Sequence, residues 1–319
     1  MKQLPRKDRF LSVVYKISLE IHKYKRQGQI MHQIALLTAT YNHPNELMRL
    51  FHSLKEQTEK GFTWVIVNDG SAEETSQVLK LIEGDNAIDV EVINKNNGGK
   101  SSSINVGFDN IDKNVEFVLI VDDDEKLKPD AINVVKEYVN KYRSSGCGVI
   151  HFNRINENGE IIAKPPINED FFMTFQQFKS EGRYADGYLG YFFKALGKNR
   201  FSIFPGEKYV APSTLIMKVN RTRKLLWASA VLGETEYLAG GITKQGRKLR
   251  IKNPRGMVEY CQLMQTNGAN LKTKLLYSAQ GYAYKSFCNC NDKNIDNSFL
   301  AITKPAGLAI ALLWKTKYL

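Results

Sequence analysis

The chain has 319 residues, 43% apolar and 24% charged, which is enough to bury a substantial core and unlike the composition of a disordered segment. Its formal net charge of +12 favours anionic partners: phosphate-bearing substrates, nucleic acid or an anionic membrane surface. The longest apolar run, Ala306 to Trp314, is well short of the ~18–20 residues of a membrane span, and the four cysteines, with Cys288 and Cys290 too close for the usual zinc pairing, read as reduced thiols of a cytoplasmic protein.

Residues 1–33 stand apart, with eight Lys and Arg against Asp8 and Glu20. Phe10, Val13, Val14, Ile17 and Ile21 recur at helical spacing, so a basic amphipathic helix is expected, lying on an anionic membrane or packing on its own domain. No apolar leader follows the basic N-terminus, so no signal peptide is expected, and Met31 is an alternative start.

From Ile34 the pattern alternates. Apolar runs at 34–39, 63–67, 89–93, 117–121 and 148–152 predict strands, and stretches at 44–58, 73–83, 101–110 and 129–142 predict helices. Apolar strands separated by helices predict an α/β fold: a mostly parallel sheet flanked by helices, with a C-terminal helical region. The period weakens after about residue 155, and residues 165–205 are rich in Phe, Tyr and Gly. A helix is expected at 212–223, then a basic stretch at 244–255, and at the end an apolar tail, Gly307–Trp314, with Lys315 and Lys317.

Ligands of a parallel sheet bind beyond the carboxyl ends of its strands. That rule selects the loops at 40–43, 68–71, 94–100 and 122–125. The last is Asp122-Asp123-Asp124-Glu125, a run whose mutual repulsion a cation would relieve. Hard carboxylate oxygens suit Mn²⁺ or Mg²⁺ shared with substrate phosphates. In Asn97-Gly98-Gly99-Lys100, glycines permit close approach and Lys100 can neutralise phosphate. Neither a Walker loop nor a GxGxxG is present, which disfavours kinase, ATPase and NAD-dehydrogenase readings.

Thr40-Tyr-Asn42, Asn68-Asp-Gly-Ser71, Asn97-Gly-Gly-Lys100 and Val121-Asp-Asp-Asp-Glu125 follow one another on successive strand ends. This order over residues 33–153 resembles the inverting glycosyltransferases of family 2, which have the Rossmann-like GT-A fold. The chain departs from that pattern in two places: Thr38-Ala39 stands for an expected Pro, and Asn68 for the first Asp of a pair. The resemblance implies that Ala39, Tyr41 and Asp69 line a nucleobase pocket, with Asn97, Gly98 and Lys100 beside it. It also implies that Asp122 and Asp124 hold metal and diphosphate, Asp124 being the direct ligand, and that Asp123 contacts the ribose side. Residues 206–210, 236–243 and 247–254 are similar to a bacterial capsule and cell-wall polysaccharide branch.

The implied reaction moves a sugar from a UDP-sugar to a glycan or lipid-linked saccharide, with no nucleic acid partner. An inverting displacement needs a carboxylate to take the acceptor proton. By resemblance that base is Glu207, with Glu234 and Glu236 in reserve and Asp186 behind them. His43 and His151 are expected to be structural or pocket-adjacent. Three parts follow: the N-terminal segment 1–33; a catalytic domain 34–243, divided into a nucleotide-sugar half (34–153) and an acceptor half (154–243); and a basic helical region 244–319. The competing readings are a nucleotidyltransferase that makes nucleotide-sugars, which lacks its Gly-rich first loop here, and a catalytically silent glycan- or membrane-binding protein. The cytoplasm, or the inner face of the plasma membrane, is the expected location.

Overall fold

Successive residues of a strand face opposite sides of a sheet, and here both sides are covered. Leu36, Trp64, Leu119 and Phe152 face one apolar layer; Leu37, Val65, Val118 and Val149 face the other. This two-sided burial is why the strands read as unbroken apolar runs. The computed structural model describes residues 32–235, 242–266, 268–288 and 299–318. The chain divides into two compact units, Met1–His32 and Gln33–Leu319. The expected amphipathic segment and the alternative start at Met31 lie outside the described residues, as do Glu236 and Cys290.

The first half runs β1 (Ile34–Thr40), α1 (Pro44–Lys55), β2 (Phe62–Asn68), α2 (Glu73–Gly84), β3 (Asp89–Asn94), α3 (Lys100–Asn110), β4 (Phe117–Ile120), β5 (Glu125–Leu127), α4 (Ala131–Tyr142) and β6 (Cys147–Ile155). There follow β7 (Ala163–Lys164), β8 (Phe171–Phe172), α5 (Phe175–Ser180), β9 (Tyr184–Ala185), β10 (Gly187–Phe192), α6 (Phe193–Leu196), α7 (Ser213–Val219) and β11 (Lys224–Thr235). The last helices are α8 (Ile242–Lys252), α9 (Pro254–Leu263), α10 (Leu271–Lys285) and α11 (Lys304–Tyr318).

The main sheet has the order β3-β2-β1-β4-β10-β6-β11-β5. β3, β2, β1 and β4 are parallel, with Leu36 between Trp64 and Leu119. β10 enters antiparallel between β4 and β6, and β5 lies antiparallel on β11. The sheet is therefore mixed in its second half and mostly parallel in its first. α1, α2 and α4 cover one face through Leu50, Leu79 and Val135, while α3 and α7 cover the other through Phe108 and Leu215. The helix expected at 212–223 ends at Val219, because the Asn220 side chain donates to the Arg223 carbonyl (2.8 Å) and turns the chain into β11.

Asp170 ties β11 to α4. Its carboxylate accepts from the Ser229 backbone N–H (2.9 Å), the Tyr138 and Tyr142 hydroxyls (2.7 and 2.8 Å) and Lys141 (3.1 Å). Burial alone would push this carboxyl up, but the Ser229, Tyr138, Tyr142 and Lys141 donors overcome it and hold the group well below the usual carboxylate range. A depressed pKa stabilises the fold above the unfolded carboxylate value of about 3.9, and that contribution is lost as pH falls toward the folded value. Asp170→Asn is expected to cost about 1–2 kcal/mol at pH 7. The gap in urea-unfolding stability between wild type and variant should close below about pH 4.

The C-terminal helices have their own small core around Ile251, Met257, Val258, Cys261, Tyr284 and Phe299. Burial raises the thiol pKa values of Cys147 and Cys261, which removes thiolate reactivity, and among the described residues both are free. No described helix is long and apolar enough to cross a membrane.

Candidate active site

The carboxyl ends of β1, β2, β3 and β4 bring the four selected loops to one edge. The first two are tied together: Asn42, with φ 57°, accepts from the Ala72 N–H (2.7 Å), and its own N–H donates to Ser71 Oγ (3.1 Å). Asn68, the departure from the Asp pair, accepts from the Ser71 N–H (3.0 Å) and donates to Asn94 Oδ1 (2.9 Å). The amide can do both, which a carboxylate cannot.

Asp69 is buried, and each of its oxygens accepts two hydrogen bonds. Oδ1 takes the Lys95 ammonium and the Gly98 N–H (2.9 Å); Oδ2 takes the Gly99 N–H (2.8 Å) and Asn97 Nδ2 (3.1 Å). A carboxylate has about four lone-pair sites, so Asp69 is fully used in shaping the loop that opens α3. The glycines serve that loop as well. At Gly99, with φ 87°, an added Cβ would meet the Lys208 carbonyl oxygen at 2.3 Å, so the close approach is to the chain's own backbone. Lys208 Nζ reaches back to Asn97 Oδ1 (2.5 Å). Ala39 is half-buried at the end of β1, and Tyr41 is exposed on the loop beyond it.

The acidic run is divided among separate partners. Asp122 pairs with Lys100 at the start of α3 (2.5 Å). Asp123 accepts from His43 Nδ1 (3.2 Å), and this bond lifts the imidazole pKa above its ordinary value. Glu125, buried in β5, meets the Arg154 guanidinium, which also grips Asp186. Burial and Asp122 push the Glu125 carboxyl up, and Arg154 opposes them. Asp124 has no ion-pair partner among the described residues; burial, with Asp122 and Asp123 alongside, raises its carboxyl above the usual range. The repulsion expected to require one shared cation is thus relieved for three members by Lys100, His43 and Arg154. Asp124 is the member left without an ion pair among the described residues.

Arg154, Lys95 and Lys208 escape the sequence reading. Arg154 left one signal, a cation two residues beyond the predicted strand Gly148–Phe152. His151 is buried in β6 against Trp227, and burial lowers its pKa to about 4 despite Asp186, so it is a neutral packing group at neutral pH.

The sequence model of glycosyl transferase family 2 matches residues 36–200, from β1 through α6. The chain belongs to glycosyl transferase family 2. Curated relatives include the chondroitin synthase of Pasteurella multocida (30% identical over 137 residues, 42% of this chain and 14% of that protein). The hyaluronan synthase of Pasteurella multocida is 29% identical over 131 residues, 41% of this chain and 13% of that protein. The matched stretch is thus a small part of those relatives. Among solved structures, S. aureus TarS 1-349 in complex with UDP-GlcNAc aligns with TM-score 0.61 at 17% identity, covering 88% of this chain and 79% of that one. The mannosyltransferase PcManGT of Pyrobaculum calidifontis, in complex with GDP-Man and Mn2+, aligns with TM-score 0.56 at 12% identity, covering 96% and 85%. Likeness at these identities concerns the fold, which is that of family glycosyltransferases.

Family 2 membership covers the acidic run but stops before Glu207. That carboxylate is almost wholly enclosed and holds the start of α9. Oε1 accepts from the Arg255 N–H (2.9 Å) and Arg255 Nε (3.1 Å), and Oε2 from the Gly256 N–H (3.0 Å). Two backbone amides at the start of α9 and the Arg255 guanidinium thus hold the Glu207 carboxylate. Glu207, the base expected from the resemblance, is in this structure the carboxylate that accepts from the first amides of α9. Glu234, near the end of β11, is half-exposed beside Lys126 (3.2 Å) on the neighbouring β5.

Proposed function

We propose that the chain moves a sugar from a UDP-sugar to a hydroxyl of a glycan or lipid-linked saccharide, by one in-line displacement with inversion at the anomeric carbon. The observation that carries this reading is Asp124, a carboxylate at the sheet's carboxyl edge with no ion pair among the described residues, beside the Lys100–Asp122 pair. The UDP-GlcNAc held by the S. aureus neighbour supports a uridine donor. The two Pasteurella synthases support a glycan acceptor.

The residues fit a divalent cation, Mn²⁺ or Mg²⁺. Asp124 and Asp122 would hold it, with the remaining positions left to phosphate oxygens and water. Among the described residues no group of three or more His, Cys, Asp or Glu is placed to hold a metal ion by itself. When bound, the ion offsets charge on the departing diphosphate. Lys100 adds a positive charge at the same edge. Asp69 sets the loop from which Asn97 and Lys100 reach the nucleotide; to accept a nucleobase N–H itself, it must exchange the Lys95 ammonium for the base.

Glu234 takes the acceptor proton, since it is the described candidate whose carboxylate is open to an incoming hydroxyl. Glu234→Gln should keep UDP affinity and lower kcat by about 10²–10⁴-fold. Glu207→Gln should keep transfer and lower stability by about 1 kcal/mol, through the weakened cap. Loss of transfer in Glu207→Gln at unchanged stability would return the proton acceptor to Glu207.

The reading as a whole is tested by incubating the protein with UDP- and GDP-sugars, with Mn²⁺ or EDTA, and following nucleotide release. Metal-dependent UDP release from one sugar is the expected result. Release from GDP-sugars alone would overturn the uridine assignment.

A further inference from the structure

α11 is apolar on two sides. Thr303, Gly307 and Ala311, spaced by four, are buried, and an added Cβ at Gly307 would meet Tyr282 and Ala279 of α10. The opposite side carries Ile302, just before the helix, and Leu308, Leu312 and Leu313, which are 83%, 48%, 67% and 67% exposed. Lys304, Lys315 and Lys317, all exposed, flank these side chains. A helix that presents leucines on the side away from its own core has an uncovered face.

Charge decides what covers it. Residues 299–318 contain no Asp or Glu, and neither does α10, which adds Lys272 and Lys274 to the same helical region. A second copy would oppose lysine to lysine. An anionic bilayer meets both demands: leucines enter the acyl boundary while lysines reach lipid phosphate. At 1.5 Å per residue, fifteen residues span roughly 22 Å, too short to cross the hydrocarbon core and suited to lying in its plane.

We infer that the outward face of α11 docks on an anionic phospholipid surface. The inference stands apart from the proposed reaction, because its readout is vesicle binding and not transfer.

Co-sedimentation of the full chain with phosphatidylcholine vesicles, with and without phosphatidylglycerol, tests it. The expected result is binding that requires phosphatidylglycerol and weakens with salt. Leu312→Glu/Leu313→Glu should lower the partition coefficient at least about tenfold with unchanged circular dichroism, and Lys304→Gln/Lys315→Gln/Lys317→Gln should remove most of the lipid-charge dependence. Wild-type binding by Leu312→Glu/Leu313→Glu would overturn the assignment and leave the N-terminal segment as the source. Equal binding to neutral vesicles would overturn the charge argument. A dimer in light scattering that Leu312→Glu dissociates would make the face a contact between copies.

Discussion

Asp124→Asn is expected to lower sugar transfer by roughly a thousandfold without lowering the melting temperature, because charge stabilisation of a departing diphosphate is worth several kcal/mol. The two halves of that outcome have separate causes. Asp124 makes no ion pair among the described residues, so neutralising it breaks no ion pair there and relieves repulsion from Asp122 and Asp123. Its neighbours behave differently. Asp123→Asn keeps an acceptor for the half-exposed His43 and removes only the charge, so its effect on transfer should stay below about tenfold. Asp122→Asn strands Lys100 and should weaken UDP binding and transfer together. Initial-rate measurements on the three variants distinguish a shared acidic cluster, in which each change costs alike, from the graded order expected here.

Arg154→Met is expected to be the most damaging single change to the fold, at about 3–5 kcal/mol, or a melting temperature lowered by roughly 5–10 °C. The guanidinium lies between Glu125 and Asp186, and Glu125 is buried in β5. Without Arg154, Glu125 must either hold an uncompensated charge or take up a proton, and β5 loses its tie to β6. The cause is checked by the second substitution. Arg154→Met/Glu125→Leu removes the stranded charge along with its partner and should recover much of the loss, since apolar replacements of buried pairs are often neutral. Equal instability of single and double variants would show that volume, not charge, governs the site.

The parallel half of the sheet was legible because two-sided burial writes itself as unbroken apolar runs. β1, β2, β3 and β4 could be read directly, and with them the loops at their ends. β10 and β11 were not. Gly187–Phe192 is an inner antiparallel strand made of Gly, Tyr, Leu and Phe, a composition with no period of its own. β11 follows β6 through several register shifts, so its pattern breaks where the pairing does. β5 is three residues long and begins inside the acidic run. The site shows the same division. That Asp122–Glu125 would sit at a strand end was readable from Phe117–Val121. Which carboxylate would be left uncompensated was not, because Lys100, His43 and Arg154 come from three distant elements. Glu207 shows the limit most clearly: its segment suggested a base, and its partners Arg255 and Gly256, almost fifty residues later, could not be read from that segment.

Calorimetric titration of UDP into the full chain, with Mn²⁺ or with EDTA, tests the central claim most directly. Saturable binding that Mn²⁺ strengthens in the wild type, and that loses its metal dependence in Asp124→Asn, is the predicted result. Absence of UDP binding with either addition, or equal metal dependence in Asp124→Asn, would contradict it.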